Sequence, residues 1–309
     1  MDRFVERFVI YLHGERGASP HTISAYTADL AAYAEFLEDR GCVWDGVDRD
    51  TLRAYLSDLQ ASGLSRRTCA RKVSTLRSFY KVMHRDKYIA FDPMLGIRSP
   101  KPEQRLPVFL SLVQAESLTM SQVGEEPQEL RDRALVEVLY ATGLRVSELV
   151  SLNVGQIDPA TREAVVRGKG GKSRVVIVGE AALRSVHAYQ ERGRPGLAHR
   201  SGEPALFLNR FGGRLSDRSA RTVVEAWRKR AGLPEGVSPH TVRHSFATHL
   251  LDGGADLRVV QELLGHASLI STQIYTHVTQ VESRKAYQKA HPRARSLGEA
   301  GEGLKTDAL

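Results

Sequence analysis

Residues 238–251 read SPHTVRHSFATHLL, and both the fold and the chemistry of the chain depend on this stretch. Its apolar residues recur at helical spacing, which predicts a helix over residues 239–252. His240 and Arg243 lie three positions apart on that helix. A guanidinium stays charged at any working pH and offers a planar fork of donors that matches phosphate oxygens. The stretch therefore indicates a helix that carries a phosphate-binding arginine.

Two further polar residues lie on each side of this helix in the sequence. Upstream, Arg145 lies in ATGLRVSEL and Lys169 in RGKGGKSR, and downstream, His266 lies in LLGHASL and Tyr275 in TQIYTH. Two arginines can clamp one phosphate and stabilise the charge that builds at a pentacoordinate transition state. A tyrosine hydroxyl, whose ordinary pKa is about 10, becomes a usable nucleophile when nearby cations lower that pKa. The set predicts attack of Tyr275 on a phosphodiester, which leaves a covalent phosphotyrosine.

This set of residues resembles the active-site signature of the tyrosine recombinases, the phage-integrase family, and the compact length resembles their bacterial Xer branch. Six separated positions agree with that signature in residue type and order, each within a matching local string: Arg145, Lys169, His240, Arg243, His266 and Tyr275. Any one of these strings alone would be weak support, but a chance match at all six is improbable. The resemblance extends more loosely over residues 1–290.

The resemblance implies a role for each of these residues. Arg145 and Arg243 would bind the nonbridging oxygens of the scissile phosphate, and Lys169 would protonate the departing 5′ oxygen. One of His240 and His266 would act on the proton of the tyrosine nucleophile, and the other would donate a hydrogen bond to a phosphate oxygen. Cleavage would give a 3′-phosphotyrosine and a free 5′-hydroxyl. No metal, ATP or other cofactor is expected.

The resemblance also implies a mainly α-helical fold with a small β-hairpin or sheet, in which a four-helix, SAM-like DNA-binding domain precedes the catalytic domain. The expected partner is a double-stranded DNA recombination site. On it a homo- or heterotetramer, formed with a related recombinase, would exchange strands through a Holliday junction. The segment from Gln280 to Ala290 would pack onto a neighbouring protomer. The Xer resemblance suggests resolution of chromosome dimers at cell division, with an accessory DNA translocase as a candidate further partner.

The composition fits a DNA-binding protein of two domains. The chain has 309 residues, and 44 Lys and Arg against 36 Asp and Glu give a net charge of +8, which favours association with a polyanion. The two cysteines, Cys42 and Cys69, are too few for a disulfide scaffold and lack metal-type spacing. Glu6 and Arg7 interrupt the first apolar run, which excludes a secretory signal there, and no stretch is long enough to span a membrane. We therefore expect a cytoplasmic protein without a membrane partner, and the Xer resemblance implies that it is bacterial and associated with the nucleoid.

Four amphipathic helices are predicted before a proline-rich stretch, and this order sets the expected domain boundaries. Residues 1–91 would form the helical DNA-binding domain and residues 92–110 a linker, because prolines resist helix formation. Residues 111–291 would form the catalytic domain, followed by a disordered tail over residues 292–309. Six cations lie outside the apolar stripe of the fourth helix and are candidates for contact with DNA: Arg66, Arg67, Arg71, Lys72, Arg77 and Lys81.

A β-hairpin is predicted within the catalytic domain. Residues 163–167 and 173–178 are strand-like runs on either side of GKGGK, whose glycines suit a turn, so Lys169 would lie at the hairpin tip. A solvated turn lysine is the structural alternative for that residue. For Arg145 the alternative is an ordinary helical ion pair with Glu148.

Other functions remain open on the sequence. The histidines His240, His244, His249 and His266 suggest a zinc site, but no cysteine or suitably placed glutamate completes it, and Arg243 would repel a dication. A type IB topoisomerase uses similar residues but reseals the same strand. A phage or transposon integrase shares the whole signature. A non-catalytic DNA-binding protein is disfavoured because no catalytic position is missing.

Overall fold

The computed structural model describes most of the chain in six stretches: residues 2–99, 108–121, 124–168, 173–199, 202–265 and 277–294, with the side chains of the last stretch described from residue 283. The chain divides into two compact units, Met1–Arg105 and Leu106–Leu309, and each has its own hydrophobic core. The fold is mainly helical with one small sheet, as the sequence predicts. No helix within the six stretches is long and apolar enough to span a membrane.

Within residues 2–99, the first unit contains four α-helices: α1 (Arg3–Ile10), which a π-helical turn (Tyr11–Glu15) extends, α2 (Pro20–Glu38), α3 (Arg49–Ala61) and α4 (Arg66–Arg85). Local sequence signals set the starts of α2 and α4. The hydroxyl of Ser19 accepts a hydrogen bond from the backbone N–H of Thr22, and Ser65 does the same for Thr68. Pro20 then occupies the first position of α2. The backbone N–H that proline lacks would have no partner within the helix at this position.

Aromatic side chains fill the core of the first unit. Phe8, Phe79, Tyr33 and Tyr80 are buried, and the hydroxyls of the two tyrosines form a hydrogen bond of 3.1 Å. Beyond α4, Met94 is buried against the same core. Burial of this side chain holds the first part of the proline-rich stretch against the helical unit. We therefore propose that the connection to the second unit begins only after Met94, later in the chain than the prolines suggest.

The described part of the second unit contains these elements in chain order: α5 (Leu112–Met120), α6 (Pro127–Thr142), α7 (Val146–Ser151), β1 (Ile157–Asp158), β2 (Glu163–Arg167), β3 (Ser173–Ile177), α8 (Glu180–Ala188), a π-helical turn (Tyr189–Gly193), α9 (Arg194–Leu197), α10 (Asp217–Arg230), α11 (Pro239–Asp252), α12 (Leu257–Leu264) and α13 (His277–Ala290). Helix α6 is central, since α5, α8 and α11 all pack against it. Its side chains from Ala134 to Thr142 are all buried. A helix buried on every side is typical of the middle of a domain.

The sheet is antiparallel, with β2 between β1 and β3. Its register pairs Glu163 with Ile177 and Arg167 with Ser173, which confirms the predicted hairpin. The strands therefore end on either side of the segment that contains Lys169. The sequence does not predict β1, because two residues are too few to show the alternation of apolar and polar side chains that marks a strand.

Side chains near the end of the chain pack within the second unit. Tyr287 on α13 is buried in a small core with Phe246 and Leu250 of α11. Arg293 is also buried and donates a hydrogen bond to Glu137 at 3.0 Å, although the sequence places it in the expected tail. The end of α13 thus contacts its own unit, whereas the resemblance places this segment on a neighbouring protomer. A partly apolar helix suits either surface, so the sequence pattern cannot distinguish them. The rest of the expected tail, residues 295–309, lies outside the described stretches.

Candidate active site

The site is built around the turn between α6 and α7. Gly143 caps the C-terminal end of α6, and its φ of +59° lies in the left-handed region that favours glycine. A side chain there would also collide with α11, because a Cβ would lie 2.4 Å from the ring of Phe246. Arg145 is the N-cap residue that immediately precedes α7, and its side chain is 40% exposed. The turn therefore places an accessible guanidinium two residues after a glycine that touches α11.

Arg243 lies in the first half of α11 and is buried, with 7% of the residue exposed. Its Nη1 donates to the carbonyl of Gly143 at 2.5 Å, and its Nη2 donates to the carbonyl of Leu264 at 2.6 Å. Burial, together with repulsion from Arg145, lowers the pKa of Arg243 to about 10 in spite of the attraction from Glu148. The guanidinium therefore keeps its proton at neutral pH. A buried charge held by two carbonyls is fixed before any ligand arrives.

Glu148 is a buried carboxylate that two arginines share. Its Oε1 accepts hydrogen bonds from Nη1 of Arg145 at 2.9 Å and from Nη1 of Arg174 at 2.8 Å. Its Oε2 accepts from the backbone N–H of Arg145 and from Nη2 of Arg174, both at 2.8 Å. Burial raises the pKa of Glu148, but the hydrogen bonds from Arg174 and Arg145 outweigh it and bring the pKa to about 2. Arg145 thus forms the ion pair with Glu148 that the sequence offers as the alternative to a catalytic role. The carboxylate, however, is shared with Arg174.

Arg174 connects this cluster to the end of α12. It is 6% exposed, and its Nε donates to the carbonyl of Leu263 at 2.9 Å. The sequence does not single out Arg174, because it lies in the strand-like run SRVVIV, where the apolar residues form the recognisable pattern. One signal was available. Arg174 and Val176 are both buried, as residues two apart on a strand share a face, so an arginine there must find a buried partner.

The structure describes three of the six predicted catalytic residues. The two arginines come together around the α6–α7 turn. His240 is exposed on the first turn of α11, three residues before Arg243. The other three lie outside the described residues: Lys169, His266 and Tyr275. Gly265, whose φ is +66°, caps the end of α12, and His266 is the next residue in the sequence.

The other two histidines of α11 have structural surroundings. Nε2 of His249 donates to the carbonyl of Leu110 at 2.8 Å, because a carbonyl can only accept, and its Nδ1 lies 2.9 Å from the hydroxyl of Tyr140, from which it accepts when the ring is neutral. Burial lowers the pKa of His249, which agrees with that state. His244 is half-buried beside the ring of Phe109. Within the described stretches, no three His, Cys, Asp or Glu side chains are grouped closely enough to hold a metal ion.

The six candidate DNA-binding cations of α4 divide into two kinds. Arg71 and Lys72 form ion pairs with the buried carboxylate of Asp29. Arg77 donates a hydrogen bond to the carbonyl of Ile97 at 2.8 Å. The remaining three are exposed and form no ion pair with a described residue: Arg66, Arg67 and Lys81. Because no described residue pairs with their charges, these three are the better candidates for contact with a phosphate backbone.

Comparison with known proteins identifies the family. The sequence matches the family model of the phage integrase family over residues 109–282 and that of the phage integrase N-terminal SAM-like domain over residues 5–87. A tyrosine recombinase XerC from Pelotomaculum thermopropionicum is 43% identical over 301 residues, which cover 94% of this chain and 98% of the relative. A tyrosine recombinase XerD from Mycobacterium tuberculosis is 43% identical over 304 residues, with coverage of 94% and 98%.

Solved structures agree on the fold. A crystal structure of the XerH site-specific recombinase bound to a palindromic difH substrate matches with a TM-score of 0.68 and 22% identity, covering 92% of this chain and 80% of that one. A lambda integrase dimer bound to a COC′ core site matches with a TM-score of 0.65 and 16% identity, covering 88% and 98%. The family models and the curated relatives together identify the family. The chain belongs to the phage integrase family and is a site-specific tyrosine recombinase, which cleaves and rejoins DNA strands.

Proposed function

We propose that Tyr275 is the nucleophile of this recombinase and that Arg145 and Arg243 hold the scissile phosphate. The observation that carries the proposal is the hydrogen bond from Arg243 to the carbonyl of Gly143, because it brings the two arginines to one turn although they lie far apart in the sequence. Attack by the tyrosine oxygen would form a 3′-phosphotyrosine and release a 5′-hydroxyl. The reverse attack by a 5′-hydroxyl of a second strand would then complete the exchange.

The two arginines would contribute in different ways. Arg243 is buried and uses one N–H of each terminal nitrogen on a backbone carbonyl, which leaves other N–H groups of the guanidinium for a phosphate oxygen. Arg145 is more exposed and can reach an incoming phosphodiester from the surface. Both charges are held in place by the protein before the substrate binds. Such preorganised groups stabilise the developing charge without further rearrangement, which is why they accelerate the reaction.

The remaining roles follow the family signature. We assign protonation of the departing 5′ oxygen to Lys169, which lies between β2 and β3. His240 is exposed one helical turn before Arg243, a position that suits contact with the same phosphate. We assign the two histidine tasks, on the tyrosine proton and on a phosphate oxygen, to His240 and His266 without distinguishing which does which.

The nucleophile is tested by Tyr275→Phe. On a nicked DNA site, which traps the cleaved strand, the wild-type protein should form a covalent adduct that resists denaturation. The variant should form none while binding the same DNA with nearly unchanged affinity, because only the nucleophilic oxygen is lost. A covalent adduct formed by the variant would show that Tyr275 is not the nucleophile.

The arginine pair is tested by Arg145→Ala and Arg243→Ala. Each should slow adduct formation on the order of 100-fold or more, which corresponds to about 3 kcal/mol for a preorganised contact with developing charge. Cleavage near the wild-type rate in both variants would refute the phosphate clamp.

We further propose that four protomers act on two copies of a short, partly symmetric DNA site and resolve chromosome dimers at cell division. The names of the curated relatives support this role. The tetramer could contain one recombinase or two related ones, and it could depend on a DNA translocase. A strain without the gene should accumulate chromosome dimers, and the wild-type gene but not Tyr275→Phe should correct the defect. Normal segregation, with loss of movement of a mobile element instead, would favour an integrase.

Assembly is best tested with the full-length chain. Truncation after Gln280 would remove Tyr287, Arg293 and the rest of the buried end of α13, and would therefore disturb the fold itself. The mass of the Tyr275→Phe protein on two paired DNA sites should correspond to four protomers and two duplexes. A variant complex limited to one protomer, together with relaxation of supercoiled DNA without such a site by the wild-type protein, would instead indicate topoisomerase-like activity.

A further inference from the structure

We propose that Arg174 is a positioning residue for strand cleavage: it neutralises Glu148 and thereby leaves the charge of Arg145 available to the scissile phosphate. The inference rests on the proposed role of Arg145 and Arg243 as phosphate ligands. Arg174 itself lies on β3 and is not part of the six-residue signature. Its effect on the reaction would pass through the buried carboxylate and not through contact with DNA.

The contacts of Arg174 show why it cannot act on the phosphate directly. Its two terminal nitrogens each donate to one oxygen of Glu148 at 2.8 Å, the parallel arrangement that is strongest between a guanidinium and a carboxylate. Its third nitrogen, Nε, donates to the carbonyl of Leu263 at 2.9 Å. The charge of Arg174 is therefore matched by the carboxylate that it faces, whereas the similarly buried Arg243 is held by two neutral carbonyls and keeps its charge for the phosphate.

The charges explain what Arg174 adds. Arg145, Arg174 and Arg243 surround one carboxylate, Glu148, so the cluster has three positive charges and one negative charge. With Arg174 present, the carboxylate is matched by a buried partner, and two positive charges remain for the phosphate. Without it, Glu148 would pair with Arg145 alone, and a single net positive charge would face a phosphodiester whose negative charge grows during attack. Close charges interact more strongly where burial lowers the effective dielectric constant, and Glu148, Arg174 and Arg243 are all buried.

The end of α12 holds the Arg174 side chain in place. Gly265 has a φ of +66°, and a Cβ at that position would lie 3.0 Å from Cδ and 3.1 Å from Nη1 of Arg174. The guanidinium therefore lies flat against backbone that has no side chain. The carbonyl of Leu264, the residue between Leu263 and Gly265, accepts a hydrogen bond from Nη2 of Arg243. Two arginines from different elements thus bind successive carbonyls, and this fixes the direction from which Arg174 reaches Glu148.

The test compares adduct formation on a nicked site at saturating DNA, at a temperature where circular dichroism shows every variant folded. Arg174→Gln should slow cleavage on the order of 100-fold, with DNA affinity unchanged. Arg174→Lys keeps the charge but loses the bidentate pairing, so its cleavage rate should lie between those of wild type and Arg174→Gln. The double variant Arg174→Gln/Glu148→Gln removes one charge of each sign, and it should recover at least about tenfold over Arg174→Gln, because two net positive charges are restored.

A matched control separates positioning from general stability. Arg131 is equally buried at 6% exposed, pairs with Asp132 and donates to the carbonyl of Leu208, so Arg131→Gln is the same change within another part of the unit. It should lower the melting temperature without slowing cleavage at the assay temperature. Equal slowing by Arg131→Gln and Arg174→Gln would overturn the inference. If Arg174→Gln does not fold, the double variant Arg174→Gln/Glu148→Gln tests the inference instead. The inference requires the double variant to cleave within about tenfold of the wild-type rate.

Two further outcomes would also overturn the inference. One is cleavage by Arg174→Gln at the wild-type rate. The other is slow cleavage by Arg174→Gln together with an equally slow rate in the double variant. Arg145→Ala in the same assay distinguishes this failure from failure of the proposed function. If Arg145→Ala is nearly inactive and Arg174→Gln is normal, only the positioning role is wrong. If Arg145→Ala cleaves normally, the phosphate clamp itself is wrong.

Discussion

Arg243 and Gly143 are joined by a hydrogen bond of 2.5 Å from a guanidinium to a backbone carbonyl, across 100 positions of the sequence. The bond ties α11 to the turn from which Arg145 emerges. The same glycine leaves room for the ring of Phe246 on α11. One small residue therefore allows two contacts that bring the helices of the site together, and its replacement should affect both stability and cleavage.

Gly143→Ala should destabilise the protein by about 2 kcal/mol or more, because it adds left-handed backbone strain to a collision with Phe246. Urea unfolding measures the effect, and adduct formation should slow as well. Gly155→Ala is the matched control: its φ is +76°, but no atom lies within 4 Å of the added carbon, so strain alone should cost about 1 kcal/mol. Equal losses in the two variants would show that the contact with α11 is unimportant.

Glu148→Gln should change how stability depends on acid. The pKa of Glu148 is depressed from 4.5 to about 2, so its contribution is complete above pH 4.5 and is lost as the pH falls towards 2. That contribution is about 3 kcal/mol in full and about 2 kcal/mol of it is lost by pH 3. Urea unfolding should therefore show that the difference in free energy of unfolding between wild type and variant is smaller at pH 3 than at pH 7 by about 2 kcal/mol. Glu191→Gln, at an exposed position, should show no such narrowing.

Tyr140→Phe should cost about 1–2 kcal/mol, because it leaves the buried Nδ1 of His249 without a hydrogen-bond donor. The free energy of unfolding in urea measures this loss. Tyr88→Phe, at a residue that is 43% exposed, is the control and should be nearly neutral. A neutral Tyr140→Phe would mean that the histidine finds another donor.

Arg66→Ala/Arg67→Ala should weaken DNA binding without loss of stability, since both side chains are exposed and unpaired among the described residues. The slope of log affinity against log salt should fall by roughly 0.9 for each phosphate contact removed. Lys72→Ala should do the reverse, lowering stability through its partner Asp29 and leaving the salt slope unchanged. An unchanged slope in the double variant would place the DNA contacts of this unit elsewhere.

Strand cleavage should persist in excess EDTA, because we expect the arginine side chains to neutralise the phosphate without a metal ion. The amount of covalent adduct on a nicked site, with and without chelator, measures this. Activity that disappears with EDTA and returns with added zinc or magnesium would revive the metal interpretation of the histidines.

The sequence by itself determined the helices, the hairpin and the family, since these depend on local signals. The caps at Ser19 and Ser65 act on backbone groups three residues away, and the paired runs of the hairpin are separated by a few residues. Periodicity and capping are short-range effects, so they can be read from consecutive residues. The six-residue signature could be recognised for the same reason, because each position lies in its own local string.

Only the tertiary structure decided which charges are available at the site. Arg174 looks like one polar residue in an apolar strand, and its partner Glu148 lies 26 positions earlier. Likewise, Arg71 and Arg67 look equivalent on α4 until Asp29, 42 positions before Arg71, binds one of them. Whether a cation is free or used depends on which side chains the fold brings within about 3 Å, and such long-range contacts leave no periodic trace in the chain.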